Sequence, residues 1–233
     1  MAYDLEEQEK IASLKAWWER YGNAVTTLVF GVAVAVAGYN LYQWYHGKQV
    51  AAAGAAYEEL TKAIAAKDLA RVKEFSGILI EKNSGTAYAQ MGAMLAAKAN
   101  LEGGDAKTAK AQLRWTADHA VDPEYRALAS LRLSGVLLDE GSYDEAIKEV
   151  ASSVAADQSP PLQAAFADRR GDIFAAQNKA AEAEREYRGA LTLLENSGET
   201  RAYANVVRLK LDALAATPAP AVASAAPSDA KKP

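Results

Sequence analysis

Few residues in this chain could carry out catalysis or bind a metal ion. Its 233 residues include no cysteine and two histidines, His46 and His119. Without cysteine the chain has no thiol nucleophile, disulfide or thiolate zinc site, and two distant histidines leave little material for a catalytic triad or a histidine-rich metal site. The paired carboxylates Asp139-Glu140 and Asp144-Glu145 border predicted helix ends, where solvated acidic residues are common. The sequence therefore predicts a protein that is not an enzyme and needs no cofactor or metal.

The charge balance argues against nucleic acid as a partner. Lys and Arg number 26 and Asp and Glu number 30, which gives a formal net charge of -4. Affinity for nucleic acid comes largely from basic side chains that neutralise phosphates. A slightly acidic chain without a glycine-rich phosphate loop is therefore expected to bind proteins or a membrane.

The apolar residues are concentrated near the N-terminus. No Asp, Glu, Lys or Arg occurs between Arg20 and Lys48. A helix from Gly22 to Trp44 would rise about 34 Å, enough to cross a hydrocarbon core of about 30 Å. Tryptophan and tyrosine flank the stretch on both sides, as amphipathic rings do at membrane interfaces; they are Trp17, Trp18, Tyr21, Tyr39, Tyr42, Trp44 and Tyr45. The sequence predicts a transmembrane anchor over residues 21–45.

Two other interpretations of this stretch are a buried globular helix and a cleaved signal peptide. A core helix has no reason to collect tryptophan at both ends. A signal peptide has a short cationic lead and small residues directly after its apolar core, whereas here a mixed-charge segment precedes the stretch and aromatic residues follow it. An uncleaved anchor fits best.

Orientation and helix packing follow from the residues around and inside the anchor. Three basic residues precede it and two follow closely, a small excess that favours a cytoplasmic N-terminal segment, residues 1–20. Gly31, Ala35 and Gly38 share one helical face, where small side chains let another helix approach. Small residues are common in any spanning helix, so the alternative is a face without a specific partner.

Beyond the anchor the chain repeats itself every 37 residues. Segments that begin at Gly104, Gly141 and Asn178 each place an alanine five residues later. A large residue follows each alanine by four positions, in the pairs Ala109 and Leu113, Ala146 and Val150, and Ala183 and Tyr187. This pattern resembles the tetratricopeptide repeat, in which small residues let two antiparallel helices approach and a large one fills the space between them. The expected fold is all-α: one transmembrane helix followed by a helical-repeat domain.

The predicted repeat domain covers residues 46–216, with turns near 67, 104, 141 and 178. A degenerate pair of helices is expected before the first clear copy, and a capping helix over 201–216 after the last. Residues 217–233 contain four of the seven prolines among alanine and serine. Such a composition predicts a disordered tail.

A candidate partner-binding groove follows from the same register. The first helices of tetratricopeptide repeats line a concave surface, and their lining positions fall here on methionine and leucine: Met91, Met94, Leu101, Leu128, Leu131 and Leu138. Flexible methionines suit surfaces that accept varied apolar partners. The alternative is that these side chains pack against neighbouring helices.

The whole layout resembles the YfgM family of ancillary SecYEG translocon subunits. The similarity rests on the lead-in Leu14-Lys-Ala-Trp-Trp-Glu-Arg-Tyr-Gly22, the single span, the degenerate repeats and the closing Arg208-Leu-Lys-Leu-Asp-Ala-Leu214. It implies a bacterial inner-membrane protein with a cytoplasmic N-terminus and a periplasmic repeat domain. It also implies the Sec translocon, a membrane-anchored periplasmic prolyl-isomerase-type chaperone and exported unfolded chains as partners, in contact with membrane lipid.

Two functions of different classes are compatible with this layout. One is a chaperone-like accessory of the translocon that binds exported chains or chaperones and passes clients on. The other is a membrane-anchored scaffold of another cell-envelope complex. An apolar groove favours the accessory, and polar clamps for a peptide terminus would favour the scaffold.

Overall fold

The computed structural model describes residues 2–153, 159–195 and 201–216, and these residues form α-helices without any strand. The all-helical prediction is confirmed. The helices are α1 (Ala2–Ala65), α2 (Leu69–Lys82), α3 (Ala87–Glu102), α4 (Ala106–His119), α5 (Pro123–Asp139), α6 (Tyr143–Ser153), α7 (Pro160–Ala176), α8 (Ala180–Glu195) and α9 (Arg201–Ala216). The predicted tail, residues 217–233, lies outside the described residues. A boundary between Ala55 and Ala56 divides the chain into two compact units.

The first unit is the greater part of α1. Within the described residues, α1 is the one helix long and apolar enough to cross a membrane. Its apolar side chains, such as Phe30 and Val34, are exposed, which argues against a buried globular helix. Lipid solvates such side chains as readily as a protein core would. The unit therefore has the properties of a membrane span.

Several polar side chains inside this stretch form hydrogen bonds within their own helix. The Thr26 hydroxyl donates to the Gly22 carbonyl oxygen at 2.7 Å, and the Asn40 amide donates to the Val36 carbonyl oxygen at 3.0 Å. Unpaired polar groups are costly in hydrocarbon, so local bonds of this kind make the span tolerable to lipid. Helix α1 continues through residues 20 and 45, the predicted edges of the anchor. No proline interrupts it, and the hydropathy of the sequence marks the edges of the membrane rather than the ends of the helix.

In the second unit the helices form antiparallel pairs. The two helices of each pair are joined by a turn, and the four turns have the same conformation. Each turn has one residue of positive φ, at Lys67, Gly104, Gly141 and Asn178, spaced 37 residues apart. In each, the next amide donates to the carbonyl five residues earlier: Asp68 to Ala63, Asp105 to Asn100, Ser142 to Leu137 and Lys179 to Phe174, at 2.8–2.9 Å. This is the Schellman closure of a helix C-terminus, which requires a left-handed residue. Glycine takes that conformation without strain and asparagine tolerates it.

Small residues accept large ones from the neighbouring helix, both within a pair and between successive pairs. A Cβ atom built on Gly171 of α7 would lie 2.5 Å from the Tyr187 ring of α8, and one on Gly92 of α3 would lie 2.4 Å from Leu79 of α2. A side chain at either position would require the facing side chain or its helix to shift. These contacts limit the distance between neighbouring helices, and the first helices α3, α5 and α7 all contribute side chains to one core cluster.

Candidate partner-binding groove

The structure places Met94 in the hydrophobic core. Its side chain is 4% exposed and belongs to a cluster that includes Leu113 of α4 and Leu133 of α5. The prediction that Met94 lines an accessible groove is corrected: the next repeat packs over this position, so a partner could not touch it without displacing core residues.

The other five predicted residues keep accessible surface. Leu101 of α3 is 37% exposed and Met91 is half-buried. Leu128, Leu131 and Leu138 of α5 are half-buried and pack against the core cluster with part of their surface. Leu95, which the sequence reasoning missed, is 36% exposed on α3. The groove interpretation therefore applies to the exposed part of these side chains, and the packing interpretation applies to their buried part.

The equivalent surface of the third pair is covered by the last helix. The Lys210 ammonium of α9 lies 2.8 Å from Asp168 Oδ1 and 2.7 Å from Asp172 Oδ1, both on α7. The hydroxyl of Tyr203 donates to Asp168 at 2.9 Å, and that of Tyr187 donates to Asp172 at 2.9 Å. Two buried or half-buried carboxylates thus have a cation and two phenol donors, as charges removed from water require.

The same environment affects the two phenols. Burial, reinforced by the negative charges of Asp172 and Asp168, raises the pKa of Tyr187 and Tyr203 well above the usual range of tyrosine. Both hydroxyls therefore stay protonated and serve as donors to the carboxylates. Because the two carboxylates, the ammonium group and both phenols are bonded to one another, they do not resemble a clamp that awaits a peptide terminus.

Arg169 closes the apolar surface on the α7 side. Its guanidinium carbon lies 3.2 Å from where a Cβ atom of Gly135 on α5 would be. Gly135 is the lining position between Leu131 and Leu138, so the arginine covers that part of the groove. The open apolar surface therefore lies on α3 and α5.

Three tyrosines that the sequence reasoning missed extend this surface. Tyr57 at the end of α1, Tyr88 of α3 and Tyr125 of α5 are all half-buried. The rings of Tyr57 and Tyr88 are 5.5 Å apart at a tilt of 48°, a favourable arrangement for aromatic pairs. Tyr88 and Tyr125 are 37 residues apart, so the repeat period could have identified them.

Gly31, Ala35 and Gly38 are exposed, and nothing lies within 4 Å of a Cβ atom built on either glycine.

The His119 ring stacks on Trp115 at 5.7 Å, and its Nδ1 lies 3.1 Å from the Trp115 carbonyl oxygen. His46 contacts Tyr42, with ring centroids 5.8 Å apart. In the part of the chain that the structure describes, no group of three or more Asp, Glu, His or Cys side chains is arranged to hold a metal ion.

Known proteins resemble this chain over most of its length. The family profile of the tetratricopeptide repeat-like domain matches residues 15–216. A protein of Neisseria gonorrhoeae named ancillary SecYEG translocon subunit is 28% identical over 217 residues, which cover 92% of this chain and 100% of the relative.

Two further relatives bear the same name. The protein of Haemophilus influenzae is 30% identical over 148 residues, 63% of this chain and 72% of the relative. That of Aggregatibacter actinomycetemcomitans is 28% identical over 153 residues, 65% of this chain and 74% of the relative. The chain therefore belongs to the tetratricopeptide repeat-like domain family and, within it, to the YfgM family that its sequence resembles.

Proposed function

We propose that this protein is a non-enzymatic accessory subunit of the SecYEG translocon. The observation that carries the proposal is similarity along the whole length of a relative named for that role, with anchor and repeats included. In the proposed topology residues 1–20 are cytoplasmic, residues 21–45 cross the bacterial inner membrane and the repeat domain 46–216 lies in the periplasm. The excess of basic residues before the span supports this orientation.

The repeat domain binds apolar segments of exported, still unfolded chains. The candidate surface consists of Met91, Leu101, Leu128, Leu131 and Leu138, with Leu95 added and Met94 removed. Its partial exposure supports the proposal, because these side chains bury further apolar area when a client segment covers them. Their mixture of methionine and leucine tolerates clients of different sequence.

Clients then pass to a periplasmic folding factor, which we propose is a membrane-anchored chaperone of the prolyl-isomerase type. The anchor brings the domain to the membrane, where chains leave the channel. The exposed face of Gly31, Ala35 and Gly38 is the proposed contact with a translocon helix, and the rest of the span contacts lipid. The scaffold alternative gains no support, since the polar cluster around Asp168 is engaged within the chain.

Site-specific photocrosslinking tests the groove. A photoreactive side chain would replace Leu101, Leu128 or, as a matched control on the opposite helix of a pair, the exposed Arg188 of α8. The full-length protein in translocon-containing membranes is expected to form adducts with an exported precursor from the first two positions and none from the control. Equal adducts from all three positions, or adducts with a single folded envelope protein, would contradict the client-binding role.

A further inference from the structure

The last helix, α9, has apolar side chains on the side that faces away from the domain. Four exposed positions form this stripe, which we call the α9 stripe: Ala202, Val206, Leu209 and Ala213. Val206 is 49% exposed and Leu209 is 69% exposed. The opposite side of the helix packs against α8 through the buried Val207. A helix that is apolar on two opposite sides has two surfaces to bury, and the described residues cover one of them.

The spacing of the α9 stripe is that of a helix-pairing surface. Its members are separated by four, three and four residues, the alternation with which two helices pack side by side along their length. The stripe runs for about 16 Å along the helix axis. Its spacing therefore selects another helix as the occupant.

The stripe matches a second copy of itself when the two helices run antiparallel. A two-fold axis midway between Val206 and Leu209 places Val206 of one copy opposite Leu209 of the other. The same axis places Ala202 opposite Ala213. The larger side chains then meet at the centre of the contact, and the alanines at its ends let the two helices approach closely.

Two charges on one flank of the stripe favour the same arrangement. Arg201 and Asp212 are both exposed, and within the described residues neither side chain forms an ion pair or a hydrogen bond. They lie eleven residues apart on one helix, about 16 Å, so they cannot pair with each other. Across the two-fold axis, Arg201 of one copy is level with Asp212 of the other to within about 3 Å along the helix. Two symmetric ion pairs result, whereas a parallel arrangement would set each charge beside its own kind.

The membrane anchor makes a small contact of this kind sufficient. A pair of helices of 16 residues buries less than the roughly 1,200–2,000 Å² of a stable soluble complex. Helix α1 confines the copies to one membrane, which raises the effective concentration of one domain around another. A contact too weak to persist between freely diffusing domains is therefore populated between anchored ones.

We propose that two copies of this chain pair through the α9 stripe, with their α9 helices antiparallel. Val206 and Leu209 form the centre of the contact, and Arg201 of each copy pairs with Asp212 of the other. This self-association goes beyond the translocon role and stands whether or not that role holds.

Cysteine cross-linking of the full-length protein in membranes tests the pairing. The chain has no cysteine, so Val206→Cys in a copy with one affinity tag and Leu209→Cys in a copy with another give one thiol in each. A short bifunctional thiol reagent is expected to join the two tagged copies. Lys107→Cys in both copies, on the exposed face of α4, is the matched control and should give only the background of random collision.

Charge reversal in both copies tests the antiparallel arrangement. Arg201→Glu and Asp212→Arg should each lower the yield of the cross-link, because the pairing weakens by a factor of roughly 2 to 30 when two exposed ion pairs are lost. The double variant Arg201→Glu/Asp212→Arg should restore the yield, since the exchanged charges attract again. Circular dichroism verifies that each variant keeps its helix content, as expected for exposed positions.

Three results would overturn the proposal. The first is no link between the tagged copies, or a link equal to that from Lys107→Cys. The second is a yield that the single charge variants leave unchanged, or that the double variant fails to restore, since Arg201 and Asp212 would then not face each other. The third is a link from Val206→Cys to a different protein in place of the second copy, because that protein would be the occupant of the stripe.

Discussion

The ammonium group of Lys210 lies 2.8 Å from Oδ1 and 2.9 Å from Oδ2 of Asp168, and so joins the last helix to the first helix of the third repeat. Asp168 is 7% exposed, so its carboxylate has this cation and the Tyr203 hydroxyl as partners in place of water. The Lys210–Asp168 pair also explains why α7, the first helix of the third repeat, offers no open groove surface.

Lys210→Met is expected to lower the free energy of unfolding. It leaves a buried carboxylate without its cation, which costs about 1–3 kcal/mol, less than for a wholly buried pair because the Lys210 side chain is 30% exposed. Urea titration followed by circular dichroism measures the change. Lys98→Met is the matched control, since Lys98 is exposed and reaches Glu102 at 3.8 Å; equal losses in both variants would refute the structural role of Lys210.

Stability is expected to fall at alkaline pH through Tyr187 and Tyr203. Their pKa values are raised in the folded state by burial and by the carboxylates, so the unfolded chain releases these protons first. Their contribution is complete below the ordinary tyrosine pKa of about 10 and is lost as the pH rises above it. Tyr187→Phe/Tyr203→Phe should flatten the dependence of the urea midpoint on pH in this range. An unchanged slope would show that these phenols do not couple folding to pH.

Gly171→Ala is expected to destabilise the third helix pair. The added methyl group would lie 2.5 Å from the Tyr187 ring, and overpacking of this kind costs about 1–3 kcal/mol. Gly189→Ala on α8 is the matched control, because nothing lies within 4 Å of its Cβ position. There alanine should stabilise the helix by roughly 0.5–1 kcal/mol. Thermal melts measure the Tm of both variants. A Tm shift of the same sign in each would contradict the close approach of Gly171 and Tyr187.

Met94→Ala and Leu101→Ala separate core from surface on a single helix. Met94 is 4% exposed, so its truncation should cost about 2–5 kcal/mol. Leu101 is 37% exposed, and its truncation should cost less than about 1.5 kcal/mol, since burying a whole leucine contributes roughly 1.5–3 kcal/mol. Urea midpoints measure both. A greater loss of unfolding free energy for Leu101→Ala than for Met94→Ala would contradict a buried Met94 and an exposed Leu101.

The all-helical fold and the family could be predicted because their signals are local. The uncharged stretch, the small-then-large pairs and the residues at the left-handed turns each act within a few positions along the chain. Met94 could not be placed in this way, because a lining position of α3 also faces the next repeat, and the packing of α5 decides which side it occupies. A periodicity shows which residues share a face and leaves open how far the neighbouring pair covers it.

Tyr57 and Lys210 were missed for a different reason. Tyr57 lies 31 residues before Tyr88, outside the 37-residue period, because its helix continues from the anchor. Lys210 lies on α9, 42 residues after Asp168, so the 37-residue period does not relate the two positions. Both contacts lie outside the three clear copies of the repeat, where the period gives no information.

Native purification of the full-length protein from membranes in mild detergent, followed by mass spectrometry, tests the translocon role most directly. A matched variant would replace residues 21–45 by an unrelated spanning sequence. SecYEG subunits are expected to copurify with the natural span and to be lost with the replacement. Absence of SecYEG together with enrichment of one other envelope complex would contradict the translocon role and favour a scaffold.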